Sequence, residues 1–171
     1  MRVGVTGHQR LPQERVWDWV ETEIDTVLSH VPKPLTGLTC LAVGVDQVFS
    51  KVVLSQGGLL EVIIPFADYE TTFPEGDMRQ RYRRLLASAA KTTVLEGTSS
   101  HEQAYLHAGK LVVQESDILL AVWDGKPAAG PGGTGDIVSF ALQQAKPLIH
   151  LNPLSREVKS HQGRIPGGNR E

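Results

Sequence analysis

Cysteine is all but missing from this chain of 171 residues, in which Cys40 stands alone. A single thiol excludes an internal disulfide framework and any cysteine-rich zinc site, and it suits a reducing, cytoplasmic setting. His30, His101, His107, His150 and His161 keep no metal-ligand spacing with carboxylates or with Cys40, so neither a metal nor a cofactor is expected. An excess of either charge is missing too. The formal net charge of −2 offers no general attraction to nucleic acid or to an anionic membrane. Direct nucleic-acid binding and membrane association are therefore not expected, and any basic site must be local. No apolar run approaches the roughly 18 residues of a membrane-spanning helix. Met1 to Gly7 runs directly into glycine and polar residues, without the apolar segment and cleavage site of a signal peptide. There is no internal repeat, no sign of a second domain, no Gly-x-Ser-x-Gly elbow and no Cys/His pairing of a hydrolase.

What the chain does have is alternation. Hydrophobic residues make up 40% and charged residues 21%, ordinary values for one soluble globular domain with a real core. Short apolar runs read as strands at Arg2 to Thr6, Leu38 to Val43, Leu59 to Phe66, Thr92 to Glu96, Asp117 to Trp123 and Pro147 to Leu151. Between them lie helical patterns. Val16, Val20, Ile24, Val27 and Leu28 recur at helical spacing after Pro12, and Met78, Tyr82, Leu85 and Leu86 do so before the fourth strand. The continuous apolar character of Leu59 to Phe66 implies burial on both faces, as in a parallel sheet covered by helices. The expected fold is α/β, a single doubly wound, mainly parallel sheet with helices on both faces, of Rossmann-like type. It is expected to span residues 1–152, with 153–171 an irregular tail.

In such a sheet ligands bind beyond the C-terminal ends of the strands. The loops at that edge are Gly7-His8, Gly44 to Asp46, Pro65 to Tyr69, Glu96-Gly97 and Asp124 to Asp136. The last of these belongs to the stretch Asp124 to Val138, D-G-K-P-A-A-G-P-G-G-T-G-D-I-V, which follows a strand and opens a helix. Gly132, Gly133, Thr134 and Gly135 would turn backbone N–H groups toward an anion such as a phosphate. The stretch matches neither Walker A nor the G-x-G-x-x-G dinucleotide fingerprint. Asp136, near the helix N-terminus, is a candidate catalytic carboxylate at an anomeric carbon, a ribose ligand or a helix cap. Asp46 and Asp124 share the double reading of ribose contact or local cap. His8 could bond a phosphate or shuttle a proton, and Arg10 could neutralise one. Tyr69 and Phe73 either stack on a base or pack in the core. Arg79, Arg81, Arg83 and Arg84 spread around a solvated helix face, with at most one or two in reach of a ligand.

Three segments in this order, Val5-Thr6-Gly7-His8, Leu41-Ala42-Val43-Gly44-Val45-Asp46, and Ala121-Val122-Trp123-Asp124-Gly125 leading to Gly132-Gly133-Thr134, resemble the SLOG superfamily. That superfamily groups the Rossmann-like domains of DNA-processing protein A (SMF) and Lonely Guy. The resemblance spans most of residues 2–152. It implies a pocket for a nucleotide or nucleotide-derived ligand, used for catalysis in some members and for sensing in others. Lonely Guy phosphoribohydrolases resemble one another in P-G-G-x-G-T-x-x-E. Pro131-Gly132-Gly133-Thr134-Gly135 matches its first half, whereas Asp136 replaces the threonine and Ser139 the active-site glutamate. Nucleoside deoxyribosyltransferases are similar in layout, with Ile137 in their glutamate register. A nucleotide-binding sensor or binding module is thus the leading expectation, and an N-glycosidase acting on a nucleoside monophosphate the alternative. By analogy with related folds a homodimer is also expected.

Overall fold

The computed structural model describes residues 1–128 and 130–161. The chain runs β1 (Arg2–Gly7), α1 (Glu14–Ser29), β2 (Thr36–Thr39), α2 (Val45–Ser55), β3 (Leu59–Ile64), a 3₁₀ turn (Tyr69–Thr72) and α3 (Asp77–Ala87). It continues through β4 (Lys91–Val94), α4 (His101–Glu115), β5 (Ile118–Val122), α5 (Thr134–Gln143), β6 (Leu148–Asn152) and β7 (Glu157–His161). The strands form one seven-stranded sheet in the order β4-β3-β2-β1-β5-β6-β7. Every pairing is parallel except β6 with β7. This is the mainly parallel, Rossmann-like α/β sheet that the alternating pattern implies.

Two apolar layers sandwich the sheet, and β5 shows how one strand feeds both. Leu119 and Ala121 join a cluster with Val112, Ile137 and Val138 from α4 and α5. Ile118, Leu120 and Val122 point the other way, into a cluster with Ile24, Leu28 and Phe49 from α1 and α2. The side-chain period of two thus divides the strand between layers, and all five residues are buried. At the end of the sheet remote from the strand C-termini, the Arg2 guanidinium donates to both carboxylate oxygens of Glu61 at 2.9 and 3.0 Å. It also donates to the Glu115 carbonyl, tying β1 to β3 and to the end of α4.

Two elements differ from the sequence expectation. The second strand ends at Thr39 rather than Val43. Leu41 adopts φ 57°, and the Asp46 carboxylate accepts from the Thr39 hydroxyl at 2.9 Å and the Cys40 N–H at 3.0 Å. The Asp46 carboxylate thus takes the Cys40 N–H, and the Thr39 hydroxyl oxygen the Leu41 N–H, which a longer strand would have given to the ladder. The segment from 153, expected to be irregular, instead supplies β7 as an antiparallel edge strand, while residues 162–171 lie outside the described residues. Only Val158 of β7 packs on the core, so its sequence carries no apolar signature. Among the described residues no helix is long and apolar enough to cross a membrane.

Candidate functional site

The strand order reverses at β1. From there β2, β3 and β4 step toward one edge of the sheet, and β5 and β6 toward the other. The loops after β1 and β5 therefore leave toward opposite layers, and a crevice opens between them. A cleft of about 780 Å³ occupies that place.

Its near wall is the β1 loop. The His8 N–H donates to the Val122 carbonyl and the Val45 N–H to the His8 carbonyl, both at 3.2 Å. Gly44 allows this close approach, but neither Gly44 nor the exposed Arg10 lines the cleft. Gly7 and His8 do. In its neutral form with the proton on Nδ1, the His8 imidazole accepts the Asp124 N–H through Nε2 at 3.1 Å. The same nitrogen lies 3.3 Å from Asp124 Oδ1, a contact that becomes an ion pair when His8 is protonated. Burial opposes the charge on Asp124. The Lys126 N–H bond and the His8 and Lys126 charges outweigh it and hold this carboxyl below the usual range.

The far wall is the glycine loop. Trp123 Nε1 donates to the Lys126 carbonyl at 2.7 Å, curling Lys126 to Ala128 over the start of α5. A Cβ on Gly135 would sit 2.8 Å from the Ala128 nitrogen, so this crossing requires glycine. The loop amides are not all open to a ligand. Gly133 N–H donates to the Gly130 carbonyl, and Gly132 N–H to Asp136 Oδ2 at 3.1 Å. Thr134 and Gly135, the first two residues of α5, have N–H groups with no acceptor among the described residues, and both residues line the cleft.

Asp136 is correspondingly placed as a cap. Its carboxylate closes the loop onto Gly132 and is absent from the cleft lining, where the sequence reading has it as a candidate acid. Asp136→Ala is expected to cost about 1 kcal/mol, the usual worth of a lost helix N-terminal acceptor. A shift of the urea midpoint at constant m value checks this, and an unchanged midpoint would mean that water serves Gly132 equally well.

The floor is formed by Asp46, Cys40 and aromatic residues. Asp46 is 7% exposed, and burial pushes its carboxyl up to about 6 against the lowering effect of bonds from Thr39, Cys40 and Ala42. Burial, and then the Asp46 charge, push the Cys40 thiol well above its ordinary value, so it stays protonated. Tyr69 and Phe73 belong to the core at 4% and 3% exposure, with ring centroids 5.1 Å apart. Neither offers a ring face on which a base can stack. Lining residues that the sequence does not single out as site residues include Gln9, Cys40, Thr72, Tyr105 and Lys126. Tyr105 falls at helical spacing with Ala104, Ala108 and Val112, and nothing local distinguishes a stripe residue at a cleft from one in the core. The arginines of α3 keep to its outer surface. Arg83 pairs with Glu70, and Arg79 donates to the Phe73 carbonyl at 2.7 Å.

No family model matches the sequence, and no curated protein matches it either. Solved structures do match. DNA processing protein A from Streptococcus pneumoniae superposes with TM-score 0.62 at 14% identity, over 90% of this chain and 53% of that one. DNA processing protein A from Helicobacter pylori, described by its single-stranded DNA binding mode, gives 0.60 at 16% identity, over 89% and 65%. The molybdenum cofactor binding protein of Rippkaea orientalis gives 0.56 at 21% identity, over 88% and 76%. The chain thus spans about half to two thirds of the DNA processing proteins' length. At these identities the likeness establishes the fold alone, a mainly parallel Rossmann-like α/β sheet.

Proposed function

We propose that the cleft binds a nucleotide or nucleotide-derived small molecule, with its phosphate at the N-terminus of α5 and the protein acting as a sensor or binding module. The observation that carries this reading is the pair of Thr134 and Gly135 N–H groups, which have no acceptor among the described residues, at a helix N-terminus that lines a cleft of about 780 Å³. The Thr134 side chain and Lys126 add a hydroxyl and a cation at the same wall. Charge favours a single phosphate. Lys126 is the one Lys or Arg among the lining residues, it lies 3.6 Å from Asp124, and two carboxylates, Asp46 and Asp124, share the cleft with it. A polyanion such as a triphosphate or a DNA strand meets little compensation there. The hydrolytic alternative built on Asp136 lacks support, because that carboxylate accepts the Gly132 N–H and does not itself line the cleft.

Isothermal calorimetry with nucleoside monophosphates, the matching triphosphates, a cyclic dinucleotide and a single-stranded oligonucleotide tests the reading. Monophosphates are expected to bind more tightly than triphosphates and the oligonucleotide. Gly135→Val pushes the Lys126 to Ala128 backbone off the helix start and is expected to weaken binding at least tenfold while circular dichroism shows the fold retained. If none of these compounds binds, or if Gly135→Val leaves the affinity unchanged, the phosphate assignment is wrong.

A further inference from the structure

The floor of the cleft contains two polar groups that the fold leaves incompletely used. Tyr69 is 4% exposed, lines the cleft, and its hydroxyl has no hydrogen-bond partner among the described residues. No described side-chain polar atom is both fully buried and unpaired, so this hydroxyl is open to the cleft. Its ring has no face to offer. Phe66, Phe73, Tyr82 and Tyr105 surround it at centroid distances of 5.6, 5.1, 5.8 and 6.1 Å. What Tyr69 presents to a ligand is therefore its O–H alone.

Asp46 is the second group. Its Oδ2 accepts from Thr39 and Cys40, and the Ala42 N–H adds a third bond, which fixes the side chain from behind. A carboxylate offers about four lone-pair sites, so acceptor capacity remains. No lysine or arginine forms an ion pair with Asp46 among the described residues, and the cation of the cleft is held at Asp124 instead. A buried carboxylate without a counter-ion is stabilised by whatever neutral N–H donors reach it. The same cleft thus presents an acceptor at Asp46 and a rotatable O–H at Tyr69, on a floor whose other lining residues include Cys40, Ala42 and Phe73.

We propose that Asp46 and the Tyr69 hydroxyl together read an amidine-type edge of the ligand's base, an exocyclic amino group beside a ring nitrogen. The ligand class is then an aminopurine or aminopyrimidine monophosphate, and the oxo counterparts are rejected. The amino group donates to Asp46, and the Tyr69 O–H donates to the ring nitrogen. Replacing the amino group by a carbonyl sets an oxygen lone pair against a buried carboxylate and leaves that carboxylate unpaired, which is how a hydrogen-bonding site discriminates most strongly. This inference rests on the reading of the cleft as a nucleotide-type site.

Calorimetry on matched pairs, AMP with IMP, GMP with XMP and CMP with UMP, tests it on the intact chain. In at least one pair the aminated member is expected to bind ten times more tightly or better. Tyr69→Phe removes a hydroxyl that no protein group uses, so the melting temperature is expected to stay put while affinity for the aminated member falls about tenfold. Asp46→Asn is expected to bring the affinity ratio of the pair to within threefold. Equal binding across all pairs, or an affinity indifferent to Tyr69→Phe, overturns the inference. The two levels separate cleanly. Binding that is lost in Gly135→Val but blind to the amino group sinks only this inference, whereas the absence of binding by every nucleotide sinks the cleft assignment and this inference with it.

Discussion

Gly44→Ala is expected to destabilise the protein by about 3 kcal/mol, lowering the melting temperature by roughly 6–12 °C for a domain of this size. Two effects add. Gly44 has φ 92° and ψ −123°, a region that side chains rarely enter. A Cβ there would also lie 2.6 Å from the His8 carbonyl oxygen and 2.7 Å from the Gln9 Cα and carbonyl oxygen, all of them backbone. Relief requires the β1 loop to move. That movement lengthens the Val45 N–H to His8 carbonyl bond and shifts His8 against the Asp124 N–H. Gly57→Ala is the control. Gly57 also has positive φ, at 72°, but a Cβ there meets nothing within 4 Å, so only backbone strain remains, on the order of 1 kcal/mol. Equal losses in the two variants would show that the loop contact contributes nothing and that strain is the whole effect.

Asp46 is expected to make stability fall as pH rises from about 4 to about 6. Its carboxyl titrates near 6 in the native state, against an ordinary value of 3.8. In that window the native state holds a proton that the unfolded chain has lost, so ∂ΔG/∂pH is negative. The change amounts to about 3 kcal/mol at 1.36 kcal/mol per unit, all of it spent once the pH passes the native value. Other carboxyls act in the opposite direction. The Arg2 hydrogen bond holds Glu61 below the usual range, and Asp124 is likewise lowered, so their contributions are present at neutral pH and lost on acidification. The measurement is therefore the difference between the native protein and Asp46→Asn, by urea unfolding at several pH values. Asparagine keeps an acceptor for Thr39 and Cys40 without a charge, so the native protein's advantage should shrink between pH 4 and 6 and level off above. A difference that is flat across this window would mean that Asp46 titrates normally.

The glycine loop shows how much of the site could be read from residues alone. Its place between a strand and a helix, at the ligand edge of the sheet, follows from pattern and turn chemistry. Which amides remain open does not. Gly132 and Gly133 were as good candidates as Thr134 and Gly135 until the Asp136 carboxylate and the Gly130 carbonyl were seen to occupy them. Tyr69 carries the same lesson. An aromatic residue in a loop before a helix suggests a stacking platform, but four aromatic neighbours from three other segments enclose the ring and leave only its hydroxyl. Arg10 and Gly44 are site candidates only through their sequence neighbours. The chain turns Arg10 outward, and it uses Gly44 as a backbone contact between two loops.

The sequence by itself determined the α/β alternation, the parallel character of strands such as Ile118–Val122 that are apolar throughout, and the sheet edge whose loops line the cleft. These depend on periodicities of 2 and 3.6 residues, which are local and survive in a string of letters. Tertiary structure alone decided the last strand, β7, whose pairing with β6 stabilises a segment with little apolar signal of its own. It also decided which acids face the cleft. Asp46, Asp124 and Asp136 look alike in sequence, each within two residues of a glycine and near a strand or helix end. Burial, the Lys126 loop and the Gly132 amide separate them, because desolvation and hydrogen bonding depend on neighbours that only folding brings within reach.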